Sequence, residues 1–204
     1  MLIKTLPVGH LGTNCYIVTD EDTLRCAVID PGAESNTILN YLEENHHKCA
    51  VIFVTHAHFD HVTAQPAVQE ETGAPVYMSE ANVGAPLHGS GRGYKPPEGV
   101  NFIKEGDEVT VDALSFKVIE TPGHTKGGLC FICGEALFSG DTLFRGSCGR
   151  TDMEGGDLKE ELRSLKKLYD LPGDYEVYPG HEAASTLSIE RAHNPYMRRA
   201  AEGI

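Results

Sequence analysis

The 204-residue sequence contains no long apolar run, and this absence sets the first limits on the protein. No stretch approaches the roughly 18 consecutive apolar residues that a membrane-spanning helix needs, so no membrane partner is expected. The first ten residues, MLIKTLPVGH, lack the apolar segment of a secretory signal peptide. We therefore expect a cytoplasmic protein.

Positive charge is also scarce. The chain carries 17 Lys and Arg residues against 30 Asp and Glu residues, which gives a formal net charge of −13. Binding of nucleic acid depends on clustered Lys and Arg that neutralise phosphates, so no nucleic-acid partner is expected. The acidic residues are dispersed, and this pattern indicates a solvated surface, not a particular substrate.

The six cysteines occur in a chain without a secretory signal, a pattern that predicts reduced thiols instead of a disulfide framework. Cys130 and Cys133 form a single CxxC inside GGLCFICG, which is typical of a strand that runs into a turn. We interpret both as buried strand residues, because one CxxC without a second pair is a weak zinc signal. Since the sequence also lacks repeats, linkers and low-complexity segments, we expect one domain over residues 1–204.

Apolar runs and turn residues predict a mixture of strands and helices. Short strands are expected in each of the following runs: LIKTL, NCYIV, RCAVID, AVIFV, APVYM, EVTV, LSFKVIE, GLCFI, ALFS and YEVYPGH. Helices are predicted over Ser35–Asn45 and Thr63–Gly73, and a short helical tail is expected at the end of the chain. The segment 86–99 is rich in Gly and Pro, and predicts an irregular surface loop.

A further helix is predicted to begin near Asp157, because Asp157 and Glu160 match a capping box. Its helical spacing predicts a core face formed by Leu158, Leu162, Leu165 and Tyr169. Many short strands with helices between them favour an α/β (α+β) fold with two sheets flanked by helices.

The segment VIFVTHAHFDHVTA, residues 51–64, contains the strongest functional pattern. It places His56, His58, Asp60 and His61 directly after a run of β-branched and aromatic residues. His56 and His58 are two apart, so along an extended strand end they point the same way. Imidazole and carboxylate groups together are suitable ligands for zinc, iron or manganese. We therefore predict a metal site at the end of this strand.

Three more candidate ligands lie at the ends of apolar strands, and each directly follows a glycine. They are His124 in TPGHT, Asp141 in SGDT and His181 in PGHE. Strand ends of this kind bring distant side chains to one rim of a fold.

The motifs THAHFDH, TPGHT, SGDTLF and PGHE, in this order and together with VIDPG at 28–32, resemble the metallo-β-lactamase superfamily. This resemblance implies a four-layer αββα sandwich with metals at the edge where the two sheets meet. It also implies two divalent ions, with zinc expected first and iron or manganese as alternatives. The implied ligands are His56, His58 and His124 for one ion, Asp60, His61 and His181 for the other, and Asp141 as the bridge.

Within that superfamily, the segments FSGDTLFRGSCGRTDMEGGD and STLSIERAHNPYM are most similar to short thioesterases of the glyoxalase II type. The resemblance implies hydrolysis of a small-molecule acyl thioester by a metal-bound hydroxide, with Asp60 as the catalytic residue that orients it. We expect no helical C-terminal domain after His181, and Asp152 stands where glyoxalase II usually places an aromatic residue. Both departures count against glutathione specificity.

Two cations are candidates for binding the substrate. The planar guanidinium of Arg150 is suited to a carboxylate, although an ion pair with Asp152 is an equal alternative. Lys126 lies beside His124. Cys148 is a possible nucleophile in GSCG, but no spare base accompanies it.

Other activities remain open on the same motifs. Persulfide dioxygenases of this superfamily share a GRTD segment like residues 149–152, and the resemblance implies that they use one iron held by two His and one carboxylate. Lactonase and phosphodiesterase activities are further alternatives, as is a non-catalytic binding module. Residues of the 86–99 loop, among them His88, Arg92, Tyr94 and Lys95, are candidates for the rim of the pocket.

Overall fold

A computed structural model describes residues 1–87 and 92–203. Its strands are β1 (Leu2–Val8), β2 (Thr13–Thr19), β3 (Arg25–Ile29), β4 (Lys48–Phe53), β5 (Val76–Met78), β6 (Pro86–Leu87), β7 (Arg92–Gly93), β8 (Asn101–Phe102), β9 (Glu108–Val111), β10 (Leu114–Glu120), β11 (Leu129–Cys133), β12 (Ala136–Gly140), β13 (Leu143–Phe144), β14 (Ser147–Cys148), β15 (Glu176–Pro179) and β16 (Ser185–Thr186). Its helices are α1 (Ser35–Glu44), α2 (Phe59–Val62), α3 (Gln65–Thr72), α4 (Leu158–Tyr169), α5 (Leu187–His193) and α6 (Pro195–Glu202).

The strands form two large mixed sheets. The first has the order β1-β2-β3-β4-β5-β8, antiparallel from β1 to β3 and parallel from β3 onward. The second has the order β16-β15-β12-β11-β10-β9, in which only the β12–β15 pair is parallel among the described strands. Sequential strands pair within each half of the chain, so each sheet is built from one continuous half.

Aromatic and β-branched side chains fill the space between the two sheets. The ring of Phe53 on β4 lies at its centre, 5.0 Å from the ring of Phe116 and 4.7 Å from that of Phe131, both on the second sheet. Val18, Ile29 and other residues of the first sheet pack in the same cluster. This burial is the main force that holds the sheets face to face.

Helices cover both outer faces. Ile38 and Leu42 of α1 and Val68 of α3 pack on the first sheet. Leu165 of α4 and Met197 of α6 pack on the second sheet, in a separate cluster. The layers are therefore helix, sheet, sheet and helix, which confirms the predicted αββα fold.

Helix α4 begins as predicted, because the Asp157 side chain accepts hydrogen bonds from the first free backbone N–H groups, those of Lys159 and Glu160. Its predicted core face was partly wrong. Leu158 is 41% exposed and is the first residue of the helix. Leu168 is fully buried in the core beside Leu165.

The 86–99 segment also differs from the predicted irregular surface loop. Strands β6 and β7 pair in an antiparallel hairpin within it. Tyr94 is buried, and its hydroxyl donates a hydrogen bond to Gln65 Oε1 of α3 at 3.1 Å. This contact attaches the segment to the first helical layer. His88 lies outside the described residues.

The cysteine prediction is confirmed. Cys130 and Cys133 are both buried on β11, and all six cysteines are free thiols. In the two ranges of chain described above, no helix combines the length and the apolar character that crossing a membrane would require.

Candidate metal centre

The chain that leaves β4 carries the first group of candidate ligands, and Asp30 at the end of β3 holds it in place. The Thr55 backbone N–H donates to Asp30 Oδ1 at 2.7 Å, and the Thr55 hydroxyl donates to Asp30 Oδ2 at 2.6 Å. His56 follows in an irregular segment, since β4 ends at Phe53 and not at the histidines. His58 directly precedes the short helix α2, which turns the next two candidate ligands toward the same space.

The first cluster consists of three buried imidazoles. His56 Nε2 lies 3.1 Å from His58 Nδ1, and His124 Nε2 lies 2.9 Å from the same atom. His124 arrives from the loop after β10, 66 residues along the chain from His58. Three ring nitrogens that face one another in this way are the typical arrangement of a site for one metal ion.

The second cluster combines a carboxylate with two imidazoles. His181 Nε2 lies 3.2 Å and His61 Nε2 lies 3.5 Å from Asp60 Oδ2. Asp60 and His61 belong to α2, whereas His181 belongs to the turn after β15. The ligand atoms in each cluster lie within 4.8 Å of one another.

Asp141 lies between the clusters, just after β12. Its Oδ1 is 3.4 Å from His61 Nε2, and its Oδ2 is 3.5 Å from His124 Nε2 and 3.6 Å from His181 Nε2. Gly180 makes this approach possible, because a Cβ there would overlap the Asp141 carboxylate. All seven sequence-predicted ligand residues therefore converge at one edge of the two sheets.

Two buried atoms of this arrangement indicate whether metal ions fit the site. His61 Nε2 and Asp141 Oδ1 are both buried and make no hydrogen bond to the described residues. Buried polar atoms without partners are costly in a folded protein and call for an explanation. Divalent ions fit the site, because imidazole nitrogens and carboxylate oxygens are the donors that zinc, iron and manganese accept.

Electrostatics favour positive charge at the same place. Burial alone would lower the pKa of His61, but the carboxylates of Asp141 and Asp30 outweigh burial and raise it well above its ordinary value. Burial would raise the pKa of Asp60, but its hydrogen bond to His181 and the charge of His61 leave it below the ordinary value. The low pKa keeps Asp60 ionised, and a metal ion that binds His61 would have to displace a proton from it.

His56 behaves differently from His61. Burial, followed by the repulsion from His61 and His58, lowers its pKa well below the ordinary value of an imidazole. His56 is therefore neutral, which is the form in which an imidazole binds metal.

Outer partners orient three of the imidazoles, those of His61, His124 and His181, through the second nitrogen. His61 Nδ1 lies 2.8 Å from Asp30 Oδ2, and His124 Nδ1 lies 2.8 Å from the Arg150 carbonyl oxygen. His181 Nδ1 is 3.3 Å from the Leu11 carbonyl. Such contacts fix the tautomer and leave the other nitrogen for the metal. Sequence reasoning missed these roles, and only Asp30, within the quoted VIDPG, gave any signal.

Strand β2 of the first sheet holds the turn that carries His181. The Asn14 side chain donates to the carbonyls of Pro179 at 3.0 Å and Glu182 at 2.9 Å. The Tyr16 hydroxyl donates to the same Pro179 carbonyl at 2.6 Å. Polar contacts therefore join the two sheets at the edge that bears the site.

The two predicted substrate cations have different surroundings. The exposed guanidinium of Arg150 makes two 2.8 Å hydrogen bonds with the Asp152 carboxylate, the alternative that the sequence had left open. Lys126 is exposed at a cleft of about 270 Å³ that also borders His58 and is lined by Val83 and other apolar residues.

Cys148 is unsuited to nucleophilic attack. It is half-buried on β14, and burial raises the pKa of its thiol to about 12. The thiolate is the reactive form, so its population near neutral pH is very small.

Comparison with known proteins agrees with this geometry. Residues 8–181 match the sequence pattern of the Metallo-beta-lactamase superfamily. The chain belongs to this superfamily. The match begins at the last residue of β1 and ends at His181, so it covers most of both sheets and every candidate ligand.

Three relatives in the superfamily carry informative names. Hydroxyacylglutathione hydrolase GloC of Haemophilus influenzae is 30% identical over 97% of this chain and 98% of its own. The crystal structure of ETHE1 from Myxococcus xanthus matches with a TM-score of 0.81 and 32% identity over 96% of this chain and 84% of that one. The structure of TTHA1623 in a di-iron-bound form matches with a TM-score of 0.82 and 36% identity over 95% and 99% of the two chains. The superfamily and the hydrolase name of GloC support a metal-dependent hydrolase type of enzyme.

Proposed function

We propose that this protein is a dinuclear metal-dependent hydrolase, and that it is a glyoxalase II-like thioesterase that cleaves small acyl thioesters. The observation that carries the proposal is Asp141, whose two carboxylate oxygens face histidines of both clusters. A carboxylate in this position is the group that two neighbouring ions would share. The 30% identity to hydroxyacylglutathione hydrolase GloC supports the choice of thioester.

The proposed ligands are the ones that the sequence indicated. His56, His58 and His124 would hold one ion, Asp60, His61 and His181 the other, and Asp141 would lie between them. When bound, two divalent ions supply Lewis acidity and lower the pKa of water toward neutrality. Zinc is proposed first, while the di-iron form of TTHA1623 makes iron a serious alternative in this chain.

Asp60 is the proposed catalytic residue. Its Oδ2 accepts a hydrogen bond from the Thr13 hydroxyl at 2.8 Å and lies 3.2 Å from His181 Nε2. These contacts hold the carboxylate in one orientation, and its low pKa keeps it ionised. It is therefore placed to accept a hydrogen bond from the attacking water and orient it, whereas a carboxylate with so low a pKa is a weak base.

Lys126 is the stronger of the two candidates for binding substrate. Lys126 lines a cleft that His58 also lines, so a substrate in that cleft would lie beside the first cluster. Arg150 would first have to exchange its two hydrogen bonds with Asp152. We propose that Lys126 binds an anionic group of the thioester, with Arg150 in a secondary role at the rim.

A panel of acyl thioesters that includes S-lactoylglutathione tests the function. We expect hydrolysis that is lost when a chelator removes the metal and restored by zinc, iron or manganese. Undiminished hydrolysis by protein shown to be free of metal would contradict the proposal.

Persulfide dioxygenase is the second candidate, because this chain is 32% identical to ETHE1 and carries the GRTD segment at 149–152. A mononuclear iron enzyme needs one set of ligands and open positions for oxygen and substrate. Metal analysis and oxygen uptake separate the two candidates. About two ions per chain and thioester hydrolysis that is independent of oxygen favour the hydrolase. One iron per chain, with oxygen consumed on addition of glutathione persulfide, would replace it with the dioxygenase.

A further inference from the structure

Glu161 on α4 has a buried carboxyl group that lies outside the seven candidate ligands. Its side chain is shielded from solvent, and its Oε2 accepts a hydrogen bond from the backbone N–H of His124 at 2.8 Å. Its Oε1 is buried and makes no hydrogen bond within the described part of the chain. Isolated buried carboxylates destabilise a fold, so the helix gains little from a glutamate at this position.

The loop that bears His124 lies directly against α4. Gly123 has a φ of +148°, and a Cβ at this residue would overlap the backbone of Glu161. The Gly123 carbonyl accepts a hydrogen bond from the Asp157 N–H at 2.8 Å, and the Pro122 carbonyl accepts one from the Ser164 hydroxyl at 2.6 Å. Helix α4 therefore contacts three successive residues of this loop.

His124 is held at two points as a result. Its Nδ1 lies 2.8 Å from the Arg150 carbonyl, which orients the ring, and Glu161 fixes the backbone from which the ring extends. Its Nε2 is left to face His58 at 2.9 Å. Ligands in the first cluster have to keep their positions closely, because metal affinity depends on preorganised geometry.

We propose that Glu161 is a positioning residue for the first metal cluster, and that its carboxyl group acts through the His124 backbone to place the third nitrogen ligand. The inference rests on the proposed metal site and adds a residue that contacts neither metal nor substrate. The proposal predicts that loss of the Glu161 oxygen lowers the metal affinity of one of the two ion sites and leaves that of the other unchanged.

The test is a metal titration of metal-free protein with cobalt(II), followed by absorption and by competition with a chelator. Glu161→Leu removes the acceptor at similar volume, whereas Glu161→Gln keeps one carbonyl oxygen for the His124 N–H. Glu160→Leu is the matched control, because Glu160 directly precedes Glu161 on α4 and its side chain pairs with Arg163 instead of the loop. Ser164→Ala removes the other side-chain contact to the loop without changing charge.

We expect Glu161→Leu to lose about 10–100-fold in cobalt affinity at one site only, the range found when outer partners of ligands are removed. Glu161→Gln should restore most of the affinity, and Glu160→Leu should match the wild type. Ser164→Ala should lower the cobalt affinity of the same site by a smaller factor. This variant provides the test if Glu161→Leu does not fold.

Two results would overturn the inference while leaving the hydrolase intact. One is wild-type affinity at both sites in Glu161→Leu and Ser164→Ala, and the other is an equal loss at both sites. Failure of the wild-type protein to bind cobalt, zinc or iron would instead reject the metal site, and the positioning role with it.

Discussion

His61 Nε2 and Asp141 Oδ1 lie 3.4 Å apart in the interior of the protein, and neither atom makes a hydrogen bond to the described residues. His61 comes from the first half of the chain and Asp141 from the second. Their opposed, unpartnered atoms mark the place where two ions would share ligands from both sheets.

Asp60→Ala is expected to reduce thioesterase kcat on the order of 10²-fold or more, because a ligand and the proposed orienting carboxylate are removed together. Steady-state kinetics under metal-saturated conditions measure the effect. Asp170→Ala, at the exposed C-terminal end of α4, is the control and should keep the wild-type rate. A rate within a few-fold of wild type for Asp60→Ala would remove Asp60 from the catalytic assignment.

Asp30→Asn is expected to lower metal affinity by about 10–100-fold, because His61 loses the carboxylate that orients its Nδ1. Asp20→Asn is a suitable control, since Asp20 is also buried and accepts backbone hydrogen bonds, but far along the chain from the ligands. Calorimetric titration with zinc checks both variants. Equal affinities would show that the Asp30–His61 contact serves only the fold.

Lys126→Gln is expected to raise KM for anionic thioesters by about tenfold while kcat changes little, since one charge-assisted contact contributes roughly 1.5 kcal/mol. A neutral thioester should show no such change. Lys117→Gln, on an exposed position of β10, provides the matched loss of charge. An unchanged KM in Lys126→Gln, with a raised one in Arg150→Gln, would reverse the proposed order of the two cations.

Cys148→Ser should retain thioesterase activity within about twofold, because its thiol pKa of about 12 leaves few thiolates near neutral pH. Burial raises this pKa, so the thiolate population should still be increasing at pH 10. Alkylation of Cys148, followed by peptide mass spectrometry, should accelerate about tenfold per pH unit between 7 and 10. A rate that levels off near pH 8 would reveal an activated thiol and reopen the covalent alternative.

The strands and the candidate ligands were predictable because both leave local patterns, whereas the four-layer αββα order was implied only by the resemblance to the superfamily. Strands β2 and β4 are short β-branched runs, and the histidines after β4 follow at a fixed spacing. Each remaining ligand follows a glycine that marks a strand end. These signals lie within a few residues of one another, so they do not require knowledge of distant contacts.

The supporting contacts were not predictable, because they join residues that are far apart in sequence. The His124 N–H meets Glu161 across 37 residues, and His181 meets the Leu11 carbonyl across 170. Carbonyl oxygens have no signature in a sequence. Leu158 was assigned wrongly to the core because helical spacing identifies a face but not which residues at the end of the helix are buried.

The contacts of Asn14 and Tyr16 with the Pro179 carbonyl fasten the turn that bears His181 to the first sheet, so metal binding at this turn is expected to stabilise them. The Asn14 N–H also donates to the Gly180 carbonyl at 2.7 Å, beside His181. Separation of the sheets at this edge would break the Asn14–Gly180 hydrogen bond and move the candidate ligands apart at the same time. Protection of the Asn14 amide against hydrogen exchange should therefore report whether the site is filled, without any substrate present.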